Sequence, residues 1–213
     1  MHIDIEPITD TSAVTLPELV GFGNVFTRRV FTRRFAAGRG WYGAAIGPRN
    51  NIALDPGAHV LHCGQAIFEG LKAYLRPDGR LGLFRADANA ERFNRSAERL
   101  AMPPVAPAEF LAAVLALLAL EYQWAPRAEG ASLYIRPVMI ATEATLEVRA
   151  SRNYLHYIVL CPVGPFFASG FQPVAVRVEE QHVRAAPGGT GAAKMSWSAV
   201  VWQARWQHAS TVR

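Results

Sequence analysis

A lysine that follows a glycine-rich segment is the combination in this sequence with the clearest chemical potential. Residues 187–194 read PGGTGAAK, so three glycines and two alanines lie just before Lys194. Glycines let a backbone approach a ligand closely, and the alanines leave space beside the lysine. An amine shielded from water has a lowered pKa and can attack a carbonyl, which is what a Schiff-base enzyme requires. A turn followed by a surface lysine explains this segment, taken alone, equally well.

A phosphate-binding P-loop is the obvious alternative for the same segment. That motif needs a glycine directly before its lysine and a serine or threonine directly after it. Ala193 and Met195 occupy these positions here, so the sequence excludes a P-loop. Lysine is also scarce, because the chain contains only Lys72 and Lys194 beside 20 arginines. That scarcity draws attention to the one lysine beside a glycine loop.

Composition sets the general class of the protein. The chain has 213 residues, of which 51% are hydrophobic and 18% are charged, as is typical of a globular enzyme. The longest apolar run, residues 111–120, is too short to span a bilayer, and the first six residues have no signal-peptide pattern. Cys63 and Cys161 are too few for a disulfide framework, so we expect reduced thiols and a cytoplasmic location.

Charge and metal ligands add little to the functional prediction. The net charge of +5 comes from arginines spread along the chain, without a nucleic-acid-binding signature, so we expect no nucleic-acid partner. His59, His62 and Cys63 lie close together in sequence but lack a second ligand pair. We therefore favour a structural role for these three residues over a metal site.

Hydrophobic periodicity predicts the elements that must hold the lysine. Residues 1–60 look irregular, with many turn formers. Residues 71–75 and 81–84, separated by a Pro-Asp-Gly turn, predict a β-hairpin. One helix is predicted from an Asp87 cap to Met102, and a second over residues 108–124. Strands are predicted over residues 132–140, 154–160 and 174–178.

The order of these elements predicts an α+β protein with two domains. A composition shift near residues 163–165 suggests a hinge between them. Residues 1–163 would form a small N-terminal α/β domain with the hairpin and both helices. Residues 164–194 would be the incomplete start of a second, larger domain, and residues 195–213 an atypical tail.

Four ordered segments accompany the glycine loop. They are residues 62–74 (HCGQAIFEGLKAY), 83–92 (LFRADANAER), 96–100 (SAERL) and 133–137 (LYIRP). Together with residues 188–194 they resemble, in type, order and spacing, the branched-chain aminotransferases of fold type IV. The resemblance extends from about Phe22 to Lys194, which is most of the chain.

The resemblance implies a cofactor, a reaction and a set of site residues. Lys194 matches the lysine that binds pyridoxal 5'-phosphate and moves the substrate proton, and Arg92 matches the arginine that holds the cofactor phosphate with its guanidinium fork. The positions that match the substrate pocket are Phe22, Phe68, Tyr134 and Arg136. The implied reaction is transamination of leucine, isoleucine and valine with 2-oxoglutarate in amino-acid biosynthesis, and the implied assembly is a homodimer.

Departures from the family pattern lead to further expectations. Cys63 and Phe166 each replace a tyrosine of the pocket, and Ala199 stands where another tyrosine is usual. The last 19 residues contain three of the five tryptophans and no Gly, Pro, Asp, Glu, Leu, Ile or Phe. That shift suggests a C-terminal truncation by a reading-frame change, with loss of the acidic partner of the pyridine nitrogen and of further phosphate donors. We therefore expect an exposed sheet edge and little transaminase activity.

Two other functions remain open on the sequence alone. The first is a different enzyme of the same fold type, a D-amino-acid transaminase or an aminodeoxychorismate lyase. The second is a non-catalytic remnant that retains only the first domain. The apolar pocket positions and the neighbouring Glu69 and Gly70 favour the branched-chain reaction over the first alternative.

Overall fold

An eight-stranded mixed sheet forms the centre of the protein in the computed structural model, which describes residues 1–17, 21–165, 172–173, 176, 178 and 185–196. The order along the sheet is β1-β3-β2-β8-β7-β5-β6. Strand β4 pairs with the same edge of β7 as β5 does, but with later residues of β7. The β1–β3 pair is parallel, whereas the others are antiparallel. The strands are β1 (Asp4–Ile5), β2 (Arg29–Ala36), β3 (Gly40–Pro48), β4 (Ala66–Phe68), β5 (Leu71–Leu75), β6 (Leu81–Leu83), β7 (Ser132–Ala141) and β8 (Asn153–Val163).

Two longer helices cover one face of this sheet. A short helix α1 (His59–Cys63) precedes β4, while α2 (Ala86–Arg99) and α3 (Pro107–Leu120) follow the hairpin of β5 and β6. Helices α2 and α3 pack on each other, α2 contacts β4, and α3 contacts β2. Phe93 and Phe110 meet between the helices with ring centroids 5.5 Å apart and are completely buried. The hydrophobic core therefore lies between the helices and the sheet.

Alternation along β7 and β8 separates this core from the opposite face of the sheet. Leu133, Ile135, Ile158 and Leu160 are fully buried core residues. Their neighbours in sequence point to the other side, because successive side chains of a strand alternate between faces. The second face of the sheet carries the candidate site.

Pro137 lies in the middle of β7 without disturbing the sheet. Its carbonyl accepts a hydrogen bond from the Glu69 N–H at 2.8 Å, on the side where the chain steps from β4 to β5. A residue in an antiparallel strand directs its N–H and C=O to the same side. The missing N–H of Pro137 therefore lies opposite the connection between β4 and β5, where the pattern of strand hydrogen bonds is already interrupted. A sheet tolerates proline at such a place.

The predicted irregularity of residues 1–60 is wrong. Strands β1, β2 and β3 lie in this region, and β2 is a central strand between β3 and β8. Strand β2 places Arg33, only 3% exposed, among inward positions, so its hydrophobic pattern is broken. Strand β3 contains three glycines and ends on a proline, which are residues depleted from strands. Neither strand has the pattern by which strands are predicted.

The predicted hairpin, both predicted helices and the strands predicted over residues 132–140 and 154–160 are confirmed with shifted ends. The hairpin forms as β5 and β6, and the later strands extend over Ser132–Ala141 and Asn153–Val163. Helix α3 ends at Leu120, and a separate 3-10 turn covers Tyr122–Trp124. Asp87 does not cap α2, which ends at Arg99: the residue at the cap position is Arg85, with φ of 49° and no side-chain hydrogen bond to the helix. Asp87 lies instead in the first helical turn, where its charge suits the helix dipole.

Several predictions lie outside the described residues. These are residues 174, 175 and 177 of the predicted strand 174–178, the replacements at Phe166 and Ala199, and the tail beyond Ser196. Within the described ranges, no helix is long and apolar enough to cross a membrane. The division into domains near residue 163 stays a prediction.

Candidate active site

A pocket of about 540 Å³ lies on the second face of the sheet. Its floor is formed by alternate residues of β7 and of β8. Phe22, Gly23 and Phe26, from the segment before β2, border it. Among the residues that the structure describes, the lining is mostly apolar and aromatic, with one charged side chain. The lining residues are Phe22, Gly23, Phe26, Phe68, Tyr134, Arg136, Val138, Tyr157, Val159, Cys161 and Ser196.

Arg136 is the charged residue of this pocket, and aromatic rings hold it in place. Its guanidinium carbon lies 4.5 Å from the ring centroid of Phe68 and 5.2 Å from that of Tyr134. Its Nε and Nη2 donate hydrogen bonds to the Tyr134 hydroxyl at 3.2 and 2.9 Å. Cation–π contacts of this kind fix the direction of a guanidinium. The Phe22 ring packs edge-on against Tyr134 with centroids 5.0 Å apart.

Gly70 makes room for the Tyr134 side chain. A Cβ atom at Gly70 would overlap the Tyr134 hydroxyl and the ring carbon that bears it. The absence of a side chain at Gly70 therefore lets Tyr134 lie against the backbone between β4 and β5. That position brings the hydroxyl to Arg136.

Lys194 is held by its main chain between β4 and α2. Its N–H donates to the Ser96 hydroxyl at 2.9 Å, and Ser96 is completely buried. Its carbonyl accepts from the Phe68 N–H at 3.0 Å. The half-buried side chain extends over the Phe68 ring, with Nζ 5.2 Å from the centroid. The lysine is therefore placed beside the pocket by contacts on both sides of its backbone.

The glycine loop before Lys194 packs against the same helix. Gly188 has a φ of 76°, a conformation that residues with a Cβ rarely adopt. The Arg99 Nη2 donates to the carbonyls of Gly188 and Gly189 at 3.4 and 3.1 Å. A Cβ at Gly191 would overlap Ala185. The glycines are thus needed for the turn itself and for its close packing.

Arg92 is paired with a buried carboxylate, that of Glu69. The Arg92 Nε and Nη2 donate to the two Glu69 oxygens at 2.5 and 2.8 Å. The Glu69 side chain is 0% exposed, whereas that of Arg92 is 45% exposed. Glu69 also accepts from Asn89 Nδ2 at 2.8 Å and from the Gly70 N–H at 3.1 Å. The hydrogen bond that Arg92 donates to Glu69 raises the pKa of Arg92, so the guanidinium stays charged.

Comparison with known proteins identifies the family, although no protein-family model matches the chain. Branched-chain-amino-acid transaminase 1 of Bacillus subtilis is 48% identical over 179 residues, which cover 84% of this chain and 50% of that protein. The branched-chain-amino-acid aminotransferase of Mycobacterium tuberculosis is 44% identical over 191 residues, covering 89% and 52%. The chain belongs to the branched-chain aminotransferase family. It spans about half the length of the curated relatives that it matches.

The fold agrees with this family. The crystal structure of the Escherichia coli branched-chain amino acid aminotransferase matches with a TM-score of 0.53 over 76% of this chain and 49% of that one. At 18% sequence identity, this likeness concerns the fold alone. It confirms the α+β arrangement of the fold type IV kind.

The structure brings together most of the positions that the resemblance to branched-chain aminotransferases assigns. Phe22, Phe68, Tyr134 and Arg136 line one pocket, and Lys194 lies over the Phe68 ring at its side. Arg92 does not line this pocket. It lies one turn of α2 before Ser96, the residue that binds the Lys194 N–H.

Other residues of the site were missed by sequence reasoning. Glu69 and Ser96 lie in segments that resemble the family, but the sequence predicts no role for either side chain. Tyr157, Val159 and Cys161 form the floor with the same two-residue spacing as Tyr134 and Arg136. That spacing was a usable signal, because the residues of one strand face alternate with those of the other.

Cys63 does not lie in the pocket as predicted. It is exposed at the end of α1, away from the residues that line the pocket. The nearby His62 is exposed as well, while His59 is buried. In the described part of the chain, no group of three or more His, Cys, Asp or Glu residues could hold a metal ion.

A second pocket of about 540 Å³ lies further along the same sheet face. Side chains of β2 and β8 and residues 50–55 line it. None of the residues that the sequence assigns to cofactor or substrate contributes to this lining. The chemistry is therefore assigned to the pocket beside Lys194.

Proposed function

We propose that the chain provides a pyridoxal-phosphate site for the transamination of leucine, isoleucine and valine with 2-oxoglutarate. The observation that carries the proposal is the position of Lys194, fixed between β4 and α2 with its amine over the Phe68 ring. The relatives that are 44–48% identical to the chain over the aligned residues are named as branched-chain enzymes, which supports the same assignment.

The lining of the pocket supports an aliphatic substrate side chain. Phe22, Phe68, Val138 and Val159 present hydrocarbon surface, and burying such surface favours binding by about 25 cal/mol per Å². Burial raises the pKa of Tyr157 and of the Cys161 thiol, so both stay neutral near pH 7. A neutral, largely apolar wall suits a leucine, isoleucine or valine side chain better than a charged one.

Arg136 supplies a positive charge for the carboxylate that every amino acid and 2-oxo acid carries. A guanidinium pairs well with a carboxylate, and it does so more strongly where little water competes. The two rings and the Tyr134 hydroxyl hold its direction, so part of the ordering cost is already met before a substrate binds. We therefore assign substrate orientation to Arg136.

The residues present fit pyridoxal phosphate as a cofactor. A half-buried amine, an aromatic ring beside it and a charged guanidinium on the adjacent helix form the donor set that an aromatic aldehyde with a phosphate group needs. Lys194 would attach the cofactor covalently, and Arg92 would bind its phosphate. When bound, the cofactor withdraws electrons from the substrate Cα and so acidifies its proton.

Lys194 and the pocket walls then carry out the remaining work. The Lys194 amine would accept the substrate Cα proton and later return it, which is general acid–base catalysis. The Phe68 ring, whose centroid lies 5.2 Å from the amine, would shield one side of it from water. We place this activity in cytoplasmic amino-acid biosynthesis, with the homodimer of the family as the assembly.

Binding of pyridoxal phosphate to the purified chain tests the proposal. The cofactor should give the visible absorbance band of a lysine-bound aldehyde with the wild-type chain and with Lys72→Ala, and no such band with Lys194→Ala. Addition of L-leucine should change the band at a lower concentration than L-aspartate does. If the wild-type chain gives no band, or if the band persists in Lys194→Ala, the proposal is wrong, and the alternative of a non-catalytic remnant is favoured.

A further inference from the structure

We propose that Glu69 is a positioning residue, which holds the Arg92 guanidinium so that its outer edge faces the phosphate group of the cofactor. The inference deepens the proposed function and rests on it. Glu69 lies too deep in the protein to contact a ligand itself, since its side chain is 0% exposed. Its effect on the phosphate would therefore act through Arg92.

The geometry of the pair defines which edge of the guanidinium remains. Glu69 takes the side edge of Arg92, formed by Nε and Nη2, with distances of 2.5 and 2.8 Å. A guanidinium has a second edge, formed by Nη1 and the other proton of Nη2. The family resemblance suggested a phosphate bound by the whole fork, whereas the Glu69 contact leaves the end edge for a phosphate. The 45% exposure of the Arg92 side chain is consistent with an accessible end.

Glu69 is itself held rigidly. Besides the two Arg92 atoms, Asn89 Nδ2 at 2.8 Å and the Gly70 N–H at 3.1 Å donate to its Oε2. The Glu69 N–H in turn donates to the Pro137 carbonyl at 2.8 Å. A buried carboxylate with its acceptors satisfied on several sides has one orientation. A flexible arginine bound to such a group has few rotamers left.

The same two elements fix the arginine and the lysine. Glu69 directly follows Phe68, whose N–H binds the Lys194 carbonyl, and Arg92 lies one turn of α2 before Ser96, which binds the Lys194 N–H. The Glu69–Arg92 pair therefore connects β4 to α2 beside the place where both hold Lys194. This arrangement sets the position of the phosphate-binding group relative to the amine.

Charge and positioning predict opposite effects of removing the Glu69 charge. A negative charge beside Arg92 weakens the attraction of that arginine for a phosphate, so electrostatics alone predicts tighter binding in Glu69→Gln. Positioning predicts weaker binding, because an amide holds the guanidinium less firmly and presents a donor towards Asn89 and Gly70. The sign of the change therefore separates the two roles.

The experiment compares the dissociation constants of pyridoxal phosphate and pyridoxal, which lacks the phosphate, for the purified chain. We expect Glu69→Gln to weaken binding of pyridoxal phosphate about tenfold and to leave that of pyridoxal unchanged. Glu91→Gln is the matched control, since Glu91 is an exposed glutamate on α2, the helix that carries Arg92, and lies 3.9 Å from Arg95. It should change neither constant. Asn89→Ala, a milder change next to the same carboxylate, should weaken pyridoxal phosphate binding about threefold if Glu69→Gln does not fold.

A double substitution tests whether Glu69 acts through Arg92. In an Arg92→Ala background, Glu69→Gln should cause no additional loss of pyridoxal phosphate affinity. Unchanged or tighter binding of pyridoxal phosphate by Glu69→Gln overturns the positioning role, as does an equal loss for pyridoxal. If Lys194→Ala does not abolish covalent attachment in the otherwise wild-type chain, the proposed function fails instead, so the two failures are distinguishable.

Discussion

At the scale of single residues, the pocket depends on a missing side chain as much as on those present. Gly70 has no Cβ where the Tyr134 hydroxyl lies, and that hydroxyl accepts both hydrogen bonds from Arg136. The strain-free φ of Gly70 shows that space, and not backbone conformation, requires the glycine. A small change at Gly70 should therefore affect Arg136, the one charged group among the described residues that line the pocket.

Gly70→Ala should lower the free energy of unfolding by about 1–3 kcal/mol, the usual cost of forcing an extra carbon into a packed site. It should also weaken binding of a 2-oxo acid, because displacement of Tyr134 releases Arg136. Chemical denaturation and a ligand titration would measure the two effects. Gly82→Ala is the matched control, since its Cβ would come no closer than 3.2 Å to the flexible Arg76 side chain and 3.9 Å to the Tyr74 carbonyl oxygen. An equal response of both variants would refute this reading of Gly70.

At the scale of elements, His156 marks the point where the helices meet the sheet. It lies on β8 with its ring 5.4–6.2 Å from the rings of Phe31, Phe93, Phe110 and Trp41, which belong to β2, α2, α3 and β3. Burial, with a smaller contribution from the charge of Arg33, lowers the pKa of His156 to about 3. Arg33 itself forms an ion pair with Glu109 at 2.7 Å.

The buried histidine predicts a loss of stability in mild acid. The pKa of His156 is lower in the folded chain than its value of about 6.5 in the unfolded chain. Its contribution is therefore complete above pH 6.5 and is lost as the pH falls towards 3. Between pH 7 and pH 5 the free energy of unfolding should fall by about 2 kcal/mol from this residue.

His156→Phe should remove most of that pH dependence, and denaturant unfolding at several pH values would measure it. The range from pH 7 to 5 is chosen because carboxylates such as Glu143, whose pKa is lowered to about 2, titrate mainly below it. His2→Phe, a substitution of an exposed histidine, should retain the wild-type slope. A His156→Phe variant with the wild-type slope would contradict the role assigned to this side chain.

The elements also show which parts of a fold a sequence can predict. The hairpin of β5 and β6 was predictable, because its turn residues and alternating strands are local signals. Strands β2 and β3 were not, since Arg33 occupies an inward position and Gly43, with φ of 62°, lies where the register between the strands shifts. That bulge places an extra residue in β3 opposite Arg33. The Arg33 side chain is stabilised by contacts with Trp41 and Glu109, and Glu109 in particular is distant in sequence.

At the scale of the whole molecule, the two faces of the sheet have different roles: one packs against the helices and stabilises the fold, and the other carries the candidate site. The helices cover one face and form the core, and the other face carries the pocket. The membership of Phe68, Tyr134 and Arg136 in one site could be anticipated from the family resemblance. The roles of Glu69 and Ser96 could not, because each depends on a contact that the fold alone creates, between α2 and the chain around β4 and Lys194.

The arginine-rich composition also has a structural explanation at this scale. Arg28, Arg29 and Arg33 are half-buried or buried in contacts with Asp10, Glu121 and Glu109. Arg39 and Arg49 lie over the rings of Tyr42 and Phe26. Guanidinium groups suit such planar and paired contacts better than ammonium groups. Many arginines thus contribute to the stability of the fold. The two lysines of the sequence, Lys72 and Lys194, are the candidates for covalent attachment through a side-chain amine.

Reductive trapping tests the central claim about Lys194 most directly. The chain would be incubated with pyridoxal phosphate, reduced with borohydride and digested, and the mass of each lysine peptide measured. We expect the phosphopyridoxyl group on the peptide that contains Lys194. Lys72, half-buried on β5, is an internal control in the same sample. Modification of Lys72 or the amino terminus to the same extent as Lys194, or in its place, would contradict the account.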